Sequence, residues 1–316
     1  MIPTETVAMA QLEYVALVVD DPERSAAVFE KDLALSALRL TCGRSLVPLI
    51  PVGRSALALF ALGDPFLGEG ARKGVDHIAI AAAEPEVFAR QCGLATVGQV
   101  SDGLDGNKQI ALCAEATCGV KTRLSQPLSI RSASGHSALV ERIDHIGVAS
   151  ADNMKAREVF IDKLGCVYES QQTDSEVEVI AEHFTSDKYP PVYHIRPPML
   201  VGSLRVTFIT VGDCELEFLQ DLTEQNEVDE ASHNVAGTTR GDRSTIARYV
   251  ASRGGGLHHI ALKTPDIDQV LTAMASAGHR VIDAKSRPGS RRAQIGFLHP
   301  SALGGVLLHF VEREER

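Results

Sequence analysis

The sequence has little of what marks several large classes of protein. Its six cysteines are scattered without the close pairs of a structural metal site, and no secretory signal pattern precedes them, so we expect reduced thiols in a cytoplasmic protein. Acidic side chains outnumber basic ones, 41 to 31, and no Lys/Arg cluster is interleaved with aromatic residues, which argues against a nucleic-acid partner. No apolar run approaches the roughly 20 residues that span a bilayer. These absences predict a soluble protein that binds neither nucleic acid nor a membrane.

The composition is that of an ordinary globular protein. Hydrophobic residues make up 44% and charged residues 23% of the 316 positions. This length suits two domains of medium size, each large enough to bury a core.

One short pattern occurs four times along the chain. A polar residue is followed by His or Tyr and then by a small, branched apolar run that is typical of a buried strand. The four copies are Glu13–Leu17, Asp76–Ile80, Asp144–Val148 and His258–Leu262. A helical segment and then strand-like segments follow the copies, and Asp21 before a proline is one of the helix-start signals. The repeat predicts an α+β fold of four βαβββ modules.

Breaks in the repeat predict how the chain is organised. A Ser-rich stretch with Pro and Gly follows the second module, so we predict a module pair at 1–128, a linker at 129–140 and a second pair at 141–316. The second pair carries two insertions, at 171–202 and 223–254. Either could form a lid over a site, although an irregular surface excursion is the simpler expectation. The second insertion is acidic around 224–234 and suits a solvated surface loop or a short helix.

The second half resembles the vicinal oxygen chelate superfamily of glyoxalases, bleomycin-resistance proteins and dioxygenases, in which paired modules curl around one metal ion. The resemblance rests on four stretches taken together: IDHIGVAS at 143–150, VTFITVGDCELEFLQDL at 206–222, GGGLHHIALKTPDID at 254–268 and RPGSRRAQIGFLHPSALGGVLLHF at 287–310. Within the superfamily these stretches are most similar to methylmalonyl-CoA epimerases. The four-module layout resembles instead the extradiol and 4-hydroxyphenylpyruvate dioxygenases, which carry one metal in the C-terminal module pair.

The resemblance implies one metal site, built from the first and last strand of each C-terminal module. Its ligands in this sequence would be His145, Glu217, His259 and His309. Imidazole and carboxylate ligands suit one divalent first-row ion, Fe, Co, Mn, Ni or Zn, without selecting among them. Glu217 could be a metal ligand or a solvent-facing residue of its strand. The first role is favoured, because a carboxylate between apolar neighbours is costly to bury without a positive partner.

The N-terminal pair does not repeat this ligand set. The residues in the same register are Tyr14, Leu59, His77 and Arg123, of which only His77 is an ordinary ligand for such an ion. We therefore expect no metal in the N-terminal pair, which would serve as a structural partner or as a wall of the pocket.

The proton-transfer residue is not evident from the resemblance. His309 stands where most relatives carry glutamate, so it is either the fourth ligand or the base itself. His258, beside a ligand, could contact the substrate or only cap its strand. The epimerases carry a glutamate base near the position of Val201, and no acid lies between Pro197 and Leu204.

Two further segments carry candidate residues, each of which could equally be structural. The segment KYPPVYHIRPPML at 188–200 offers side chains that could move or anchor protons, and the loop at 287–292 offers guanidinium groups that could clamp a carboxylate or phosphate. The catalytic candidates are Tyr189, Tyr193 and His194, and the substrate-binding candidates are Arg196, Arg287, Arg291 and Arg292.

The resemblance implies an enzyme, and two chemistries stay open. The first is a metal-dependent isomerase, epimerase or lyase that stabilises the enolate of a substrate chelated through two oxygens, of the acyl-CoA or 2-oxo/hydroxy acid type. The alternative is a non-haem Fe(II) dioxygenase in which His145, His259 and Glu217 form the facial triad. A non-catalytic binding protein is a third class, against which four retained ligands argue. A homodimer is compatible with the sequence.

Overall fold

The computed structural model describes residues 10–129, 135–185, 187–188, 190–223 and 239–315. Its first two modules form the N-terminal half. The first consists of β1 (Leu12–Val19), α1 (Pro22–Lys31), β2 (Leu38–Cys42), β3 (Ser45–Val52) and β4 (Ser55–Ala61). The second consists of β5 (Gly74–Ala81), α2 (Pro85–Gln91), β6 (Thr96–Asp102), β7 (Lys108–Leu112) and β8 (Thr122–Ser125).

The third and fourth modules form the C-terminal half, and both are longer. In the third module the helix continues into a single π-helical turn at Glu158–Lys163. The module comprises β9 (Arg142–Ala149), α3 (Asn153–Arg157), β10 (Val167–Glu178), β11 (Ala181–Phe184), β12 (Val192–Ile195), β13 (Met199–Val211) and β14 (Cys214–Asp221). The fourth comprises α4 (Thr239–Arg253), β15 (Gly256–Lys263), α5 (Ile267–Ser276), β16 (Arg287–Pro288), β17 (Gln294–Phe297) and β18 (Leu308–Glu312).

Each half forms one eight-stranded mixed sheet. The strand order is β2-β3-β4-β1-β5-β8-β7-β6 in the N-terminal sheet and β10-β13-β14-β9-β15-β18-β17-β16 in the C-terminal sheet. Within every module the first and last strands are parallel neighbours, and the first strands of paired modules run antiparallel to each other. This architecture confirms the predicted α+β class with four βαβββ modules. It also places the first and last strand of every module at the centre of a sheet.

Aspartates at equivalent places set the starts of three helices. The carboxylates of Asp21, Asp152 and Asp266 accept backbone N–H bonds from the first turns of α1, α3 and α5. Such caps each contribute about 1 kcal/mol. In the last module α5 begins at Ile267, directly after its cap Asp266. None of the helices in the described ranges is both long and apolar enough to cross a membrane.

The two insertions are regular structure, so the expectation of irregular excursions is wrong for their described parts. In the first, β10 and β13 pair from Val167↔Thr210 to Glu178↔Met199, and β11 with β12 adds a hairpin. In the second, α4 buries Ile246 against β13 and β14. Backbone pairing and an apolar helix contact therefore order these segments. The acidic stretch 224–234 and Tyr189 lie outside the described residues.

The N-terminal sheet is packed with side chains where the C-terminal sheet carries its candidate ligands. Tyr14 and His77 are fully buried there, with the Tyr14 hydroxyl 3.5 Å from Nε2 of His77. The stacked rings of Phe60 and Phe66 lie against His77, and the Arg123 guanidinium covers Phe66 at 4.1 Å. Among the described residues, no group of potential metal ligands is gathered in this half. The equivalent place in the N-terminal sheet is filled by packed side chains, and the role of this half stays a prediction.

The buried His77 gives a prediction for stability in acid. Burial lowers the pKa of His77 to about 4, with Arg123 acting in the same direction, and this outweighs the Asp76 carboxylate 2.8 Å from Nδ1. The unfolded chain keeps a pKa near 6.5, so it binds more protons between these values, and stability falls as the pH drops from about 6.5 to about 4. The loss from this group is roughly 3 kcal/mol. We expect urea unfolding at pH 7 and pH 4.5 to show a larger loss for wild type than for His77→Gln; equal losses would contradict the account.

Candidate metal centre

The four predicted ligands lie on the four central strands of the C-terminal sheet. On β14, Glu217 is level with Gly147 of β9, two residues beyond His145. On β15, His259 is also level with Gly147, from the other side of β9. Strand β18 runs parallel to β15, which places His309 next to that strand. Because side chains alternate along a strand, all four project from one face of the sheet.

The structure brings these side chains together in a buried cluster. Ligand atoms of His145, His259 and His309 all lie within 4.8 Å of one another. Oε2 of Glu217 lies 3.3 Å from Nε2 of His145 and 3.5 Å from Nε2 of His259. None of the four residues is more than 6% exposed. The repeat register therefore predicts their convergence correctly.

Three of the imidazole nitrogens have no hydrogen-bond partner. They are Nε2 of His145, Nε2 of His259 and Nδ1 of His309, all fully buried. The Glu217 carboxylate is close to two of them but does not meet hydrogen-bond geometry. Buried polar atoms are almost always satisfied, so orphaned nitrogens gathered around one carboxylate fit a bound cation. Imidazole nitrogen with carboxylate oxygen is the donor set of a divalent first-row ion.

Electrostatics keeps Glu217 charged and two of the histidines neutral. Burial raises the pKa of Glu217, but the adjacent imidazoles of His145 and His259 outweigh it and hold that pKa well below its usual range. Burial and the neighbouring imidazoles lower the pKa of His309 well below its ordinary value, and burial lowers that of His259. For His145, burial is outweighed by the Glu217 and Asp144 carboxylates, which raise its pKa to about 9. A charged carboxylate and neutral imidazoles are the states in which these groups bind metal, so His145 would have to lose its proton when an ion binds.

Two residues hold the histidine rings in orientation. Nδ1 of His145 donates to Oδ1 of Asp144 at 2.7 Å, and Asp144 also pairs with Arg313 at 3.0 Å. Nδ1 of His259 lies 3.0 Å from Nδ1 of His258. In both cases Nδ1 is engaged and Nε2 is left for the site, which is the usual arrangement of a metal-binding histidine. Asp144 is absent from the sequence prediction, although its position directly before a ligand is a usable signal.

Gly147 makes room for the ring of His259. A Cβ atom at this position would overlap the imidazole of His259. The other three copies of the repeat carry alanine at the same place, Ala16, Ala79 and Ala261. The single glycine among four copies is a signal in the sequence that the prediction missed.

The four side chains lie in a cavity of about 820 Å³. The residues that line it all belong to the C-terminal half, so the described part of the N-terminal half does not form a wall of the pocket. Leu204, Leu219 and Ile246 contribute an apolar side. Polar groups on the lining include Gln172, Asp174, Asp242, Asp283 and Arg287. A ligand in this cavity meets an apolar wall, several acids and few basic groups.

The three candidate arginines of the 287–292 loop have different surroundings. Arg287 lines the cavity, with Nε 3.4 Å from Asp283. Arg291 is bound to Glu215 through two nitrogens and lies 3.5 Å from the centre of the Phe208 ring. Arg292 is exposed, and neither it nor Arg291 lines the cavity. Of the three, the structure brings Arg287 alone to the site.

The hairpin candidates lie away from the cavity. Tyr193 is 78% exposed on β12 and packs against the ring of His183. His194 and Arg196 both pair with Glu182 across the hairpin. None of these candidates is part of the cavity lining. Cross-strand pairing accounts for their contacts, and we do not carry them into the proposed site.

The sequence of the C-terminal half can be compared with known protein families. Residues 144–297 match the family model described as the Glyoxalase/Bleomycin resistance protein/Dioxygenase superfamily. The matched stretch lies in the C-terminal half and confirms the resemblance recognised in the sequence.

Relatives in other organisms are distant. The protein YqjC of Bacillus subtilis is 24% identical over 173 residues, which cover 55% of this chain and 93% of that protein. Mitochondrial methylmalonyl-CoA epimerase of Bos taurus is 23% identical over 209 residues, 63% of this chain and 95% of that protein. The solved structure of a triple mutant of 4-hydroxymandelate synthase from Streptomyces coelicolor matches with a TM-score of 0.60 at 12% identity, covering 97% of this chain and 93% of that chain. This last likeness shows a shared fold alone.

Proposed function

We propose that the chain is a divalent-metal-dependent isomerase, epimerase or lyase. It would remove a proton from the carbon next to a carbonyl of a substrate that chelates through two oxygens. The observation that carries this proposal is the buried cluster of His145, His259 and His309 around Glu217, with a nitrogen of each histidine unpartnered. The name of the bovine relative, an epimerase, supports proton transfer as the reaction.

The residues of the cluster would hold the ion, and their neighbours would orient them. When bound, a divalent ion acts as a Lewis acid that stabilises negative charge developing on a carbonyl oxygen. Three neutral imidazoles and one carboxylate leave about one net positive charge at the site, whereas two carboxylates leave it near neutral. This difference favours an anionic, enolate-like species in the cavity. Asp144 and His258 keep the Nε2 atoms of two ligands directed at the centre.

The lining of the cavity bears on the substrate class. Its apolar side, formed by Leu204, Leu219 and Ile246, suits an acyl or alkyl portion. Arg287 offers a guanidinium toward a carboxylate. A 2-oxo/hydroxy acid has both features, and so does an acyl thioester whose 2-substituent is a carboxylate. The lack of an acid near Val201, where the epimerases carry their base, argues that methylmalonyl-CoA itself is not the natural substrate.

A dioxygenase is the second candidate, and one observation favours it. Oε2 of Glu217 lies within 3.5 Å of Nε2 of both His145 and His259, and two histidines with one carboxylate are the ligand set of a non-haem iron site. Such a site needs open positions for substrate and dioxygen. His309 would occupy one of these positions, which is why we rank proton transfer first.

One set of measurements tests the two candidates against each other. We expect protein purified without added metal to contain a divalent ion, and to exchange deuterium from D₂O into methylmalonyl-CoA or 2-oxobutyrate at the carbon beside the carbonyl. Treatment with EDTA should lower this exchange by at least ~100-fold, and added metal should restore it. Mass spectrometry measures the exchange. Bound Fe(II) with oxygen consumption triggered by 4-hydroxyphenylpyruvate, and no exchange, would contradict proton transfer and support the dioxygenase.

A further inference from the structure

Helix α4, from the second insertion, is fixed over the cavity. Its Ile246 is buried, and the Tyr249 hydroxyl donates to the carbonyl of Leu257 at 2.7 Å, immediately before the histidine pair. Arg243 pairs with Glu176 at 3.2 Å and also bonds to Thr223. These contacts hold the first turn of the helix at the cavity, where Asp242 is part of the lining.

Asp242 is the acid of the cavity whose oxygens are least engaged. Asp283 accepts from the backbone N–H of Phe297 at 3.0 Å, and Asp174 accepts from Gln172 at 2.6 Å. The side chain of Asp242 is 48% exposed, and within the described part of the chain its polar neighbour is the Nη2 atom of Arg287, at 3.9 Å. A carboxylate that lines a cavity without a hydrogen bond is free to accept a proton from a ligand.

A short series of contacts connects Asp242 to the cluster of histidines. Arg287, beside Asp242, lies 5.3 Å from the centre of the Phe297 ring. The Phe297 ring in turn lies 4.3 Å from the ring of His309, centre to centre. Asp242 and His309 therefore line the same cavity and are connected through Arg287 and Phe297.

The surroundings of Asp242 also raise its pKa, which is the direction that a catalytic base requires. Burial raises its pKa, Arg287 opposes this, and the carboxylates of Glu217, Asp283 and Asp174 add to the increase. A catalytic base is most effective when its pKa approaches the working pH.

We propose that Asp242 is the catalytic base, a role that rests on the function proposed above. A carboxylate oxygen of Asp242 takes the proton from the carbon next to the substrate carbonyl. The C–H bond breaks, its electron pair forms the C=C bond of the enolate, and the carbonyl electrons move to the oxygen. The protonated Asp242 then returns the proton to carbon, so that no oxidant or reductant is consumed. The base comes from the insertion helix, which explains why the strand position near Val201 can do without an acid.

Oxalate, a planar anion with two chelating oxygens, tests this role without knowledge of the natural substrate. We expect oxalate binding to metal-loaded wild type to raise the pKa of a nearby Asp242 and so to take up part of a proton, up to about one per site. Calorimetry in buffers of different ionisation enthalpy measures this uptake. Asp242→Asn should bind oxalate with little or no uptake and keep its metal. Asp174→Asn, which removes another acid of the same cavity, should behave as wild type.

Deuterium exchange provides the second readout on the same proteins. Asp242→Asn should lower exchange by ~100-fold or more at full metal content, and Asp242→Glu should recover part of the rate. Equal proton uptake and equal exchange in wild type and Asp242→Asn would overturn the role of Asp242. Wild type that retains no metal, or that binds oxalate equally well after EDTA, would instead contradict the proposed function.

Discussion

Replacing His259 with alanine is expected to lower the affinity for the divalent ion by more than ~100-fold. Loss of a partner that only orients a ligand costs about 10 to 100-fold, so loss of the ligand should exceed this range. The same result is expected for His145→Ala, and for His309→Ala if His309 is a ligand and not the base. Metal content after dialysis measures occupancy directly. A ligand present at 100 times its Kd stabilises the fold by about 2.7 kcal/mol, so the metal-dependent rise of the unfolding temperature should vanish with occupancy.

The neighbouring His258 provides the matched control. It lies on the same strand, and its Nδ1 contacts Nδ1 of His259 at 3.0 Å. His258→Gln keeps a polar group at this place, so we expect less than a tenfold loss of affinity. Metal retained by His259→Ala but lost by His258→Gln would show that the register of the site is wrong by one residue.

The substitution Gly147→Ala adds one methyl group and should disrupt the site, although it changes none of the candidate ligand residues. The new Cβ would overlap the imidazole of His259, which must then rotate or shift away from its position. A ligand displaced by more than about 0.5 Å no longer fits a metal site. We expect Gly147→Ala to lower metal affinity by ~100-fold or more and the free energy of unfolding by roughly 1 to 3 kcal/mol. Titration with metal and urea unfolding measure the two effects separately.

A second glycine on the neighbouring strand serves as the comparison. At Gly256 the nearest atom to an added Cβ is the carbonyl oxygen of Gly119, at 3.3 Å, so only a small adjustment is needed. We expect Gly256→Ala to keep its metal. Normal occupancy in Gly147→Ala would mean that the His259 ring has space to move, and that the glycine is not required by the site.

The repeat in the sequence was sufficient to predict the framework of the C-terminal site. His145 and His259 occupy the same place in their modules, as do Glu217 and His309. Because the first and last strands of each module are neighbours at the centre of the sheet, equal places in the repeat become nearby points in space. Whether these four residues bind a metal stays a prediction, which the His259 and Gly147 variants test.

Candidates outside the repeat could not be ranked from the sequence. Arg287 and Arg291 are four residues apart in one loop, yet one lines the cavity and the other is bound to Glu215. Tyr193 is a catalytic candidate from the sequence, but its side chain is exposed on the hairpin of β11 and β12. Arg291 is held by Glu215 on β14, a partner 76 residues away that no local pattern encodes.

The sequence by itself determined the four modules, the class of the fold and the four residues that meet at the centre of the C-terminal sheet. The modules and the fold class follow from strand periodicity and from an internal repeat, and the four residues follow from the resemblance to the superfamily carried onto the matching positions. The tertiary structure decided that α4 covers the cavity, that Asp242 faces into it and that Gly147 leaves space for His259. Those features depend on how distant segments pack against each other, and packing is settled only when the whole chain folds.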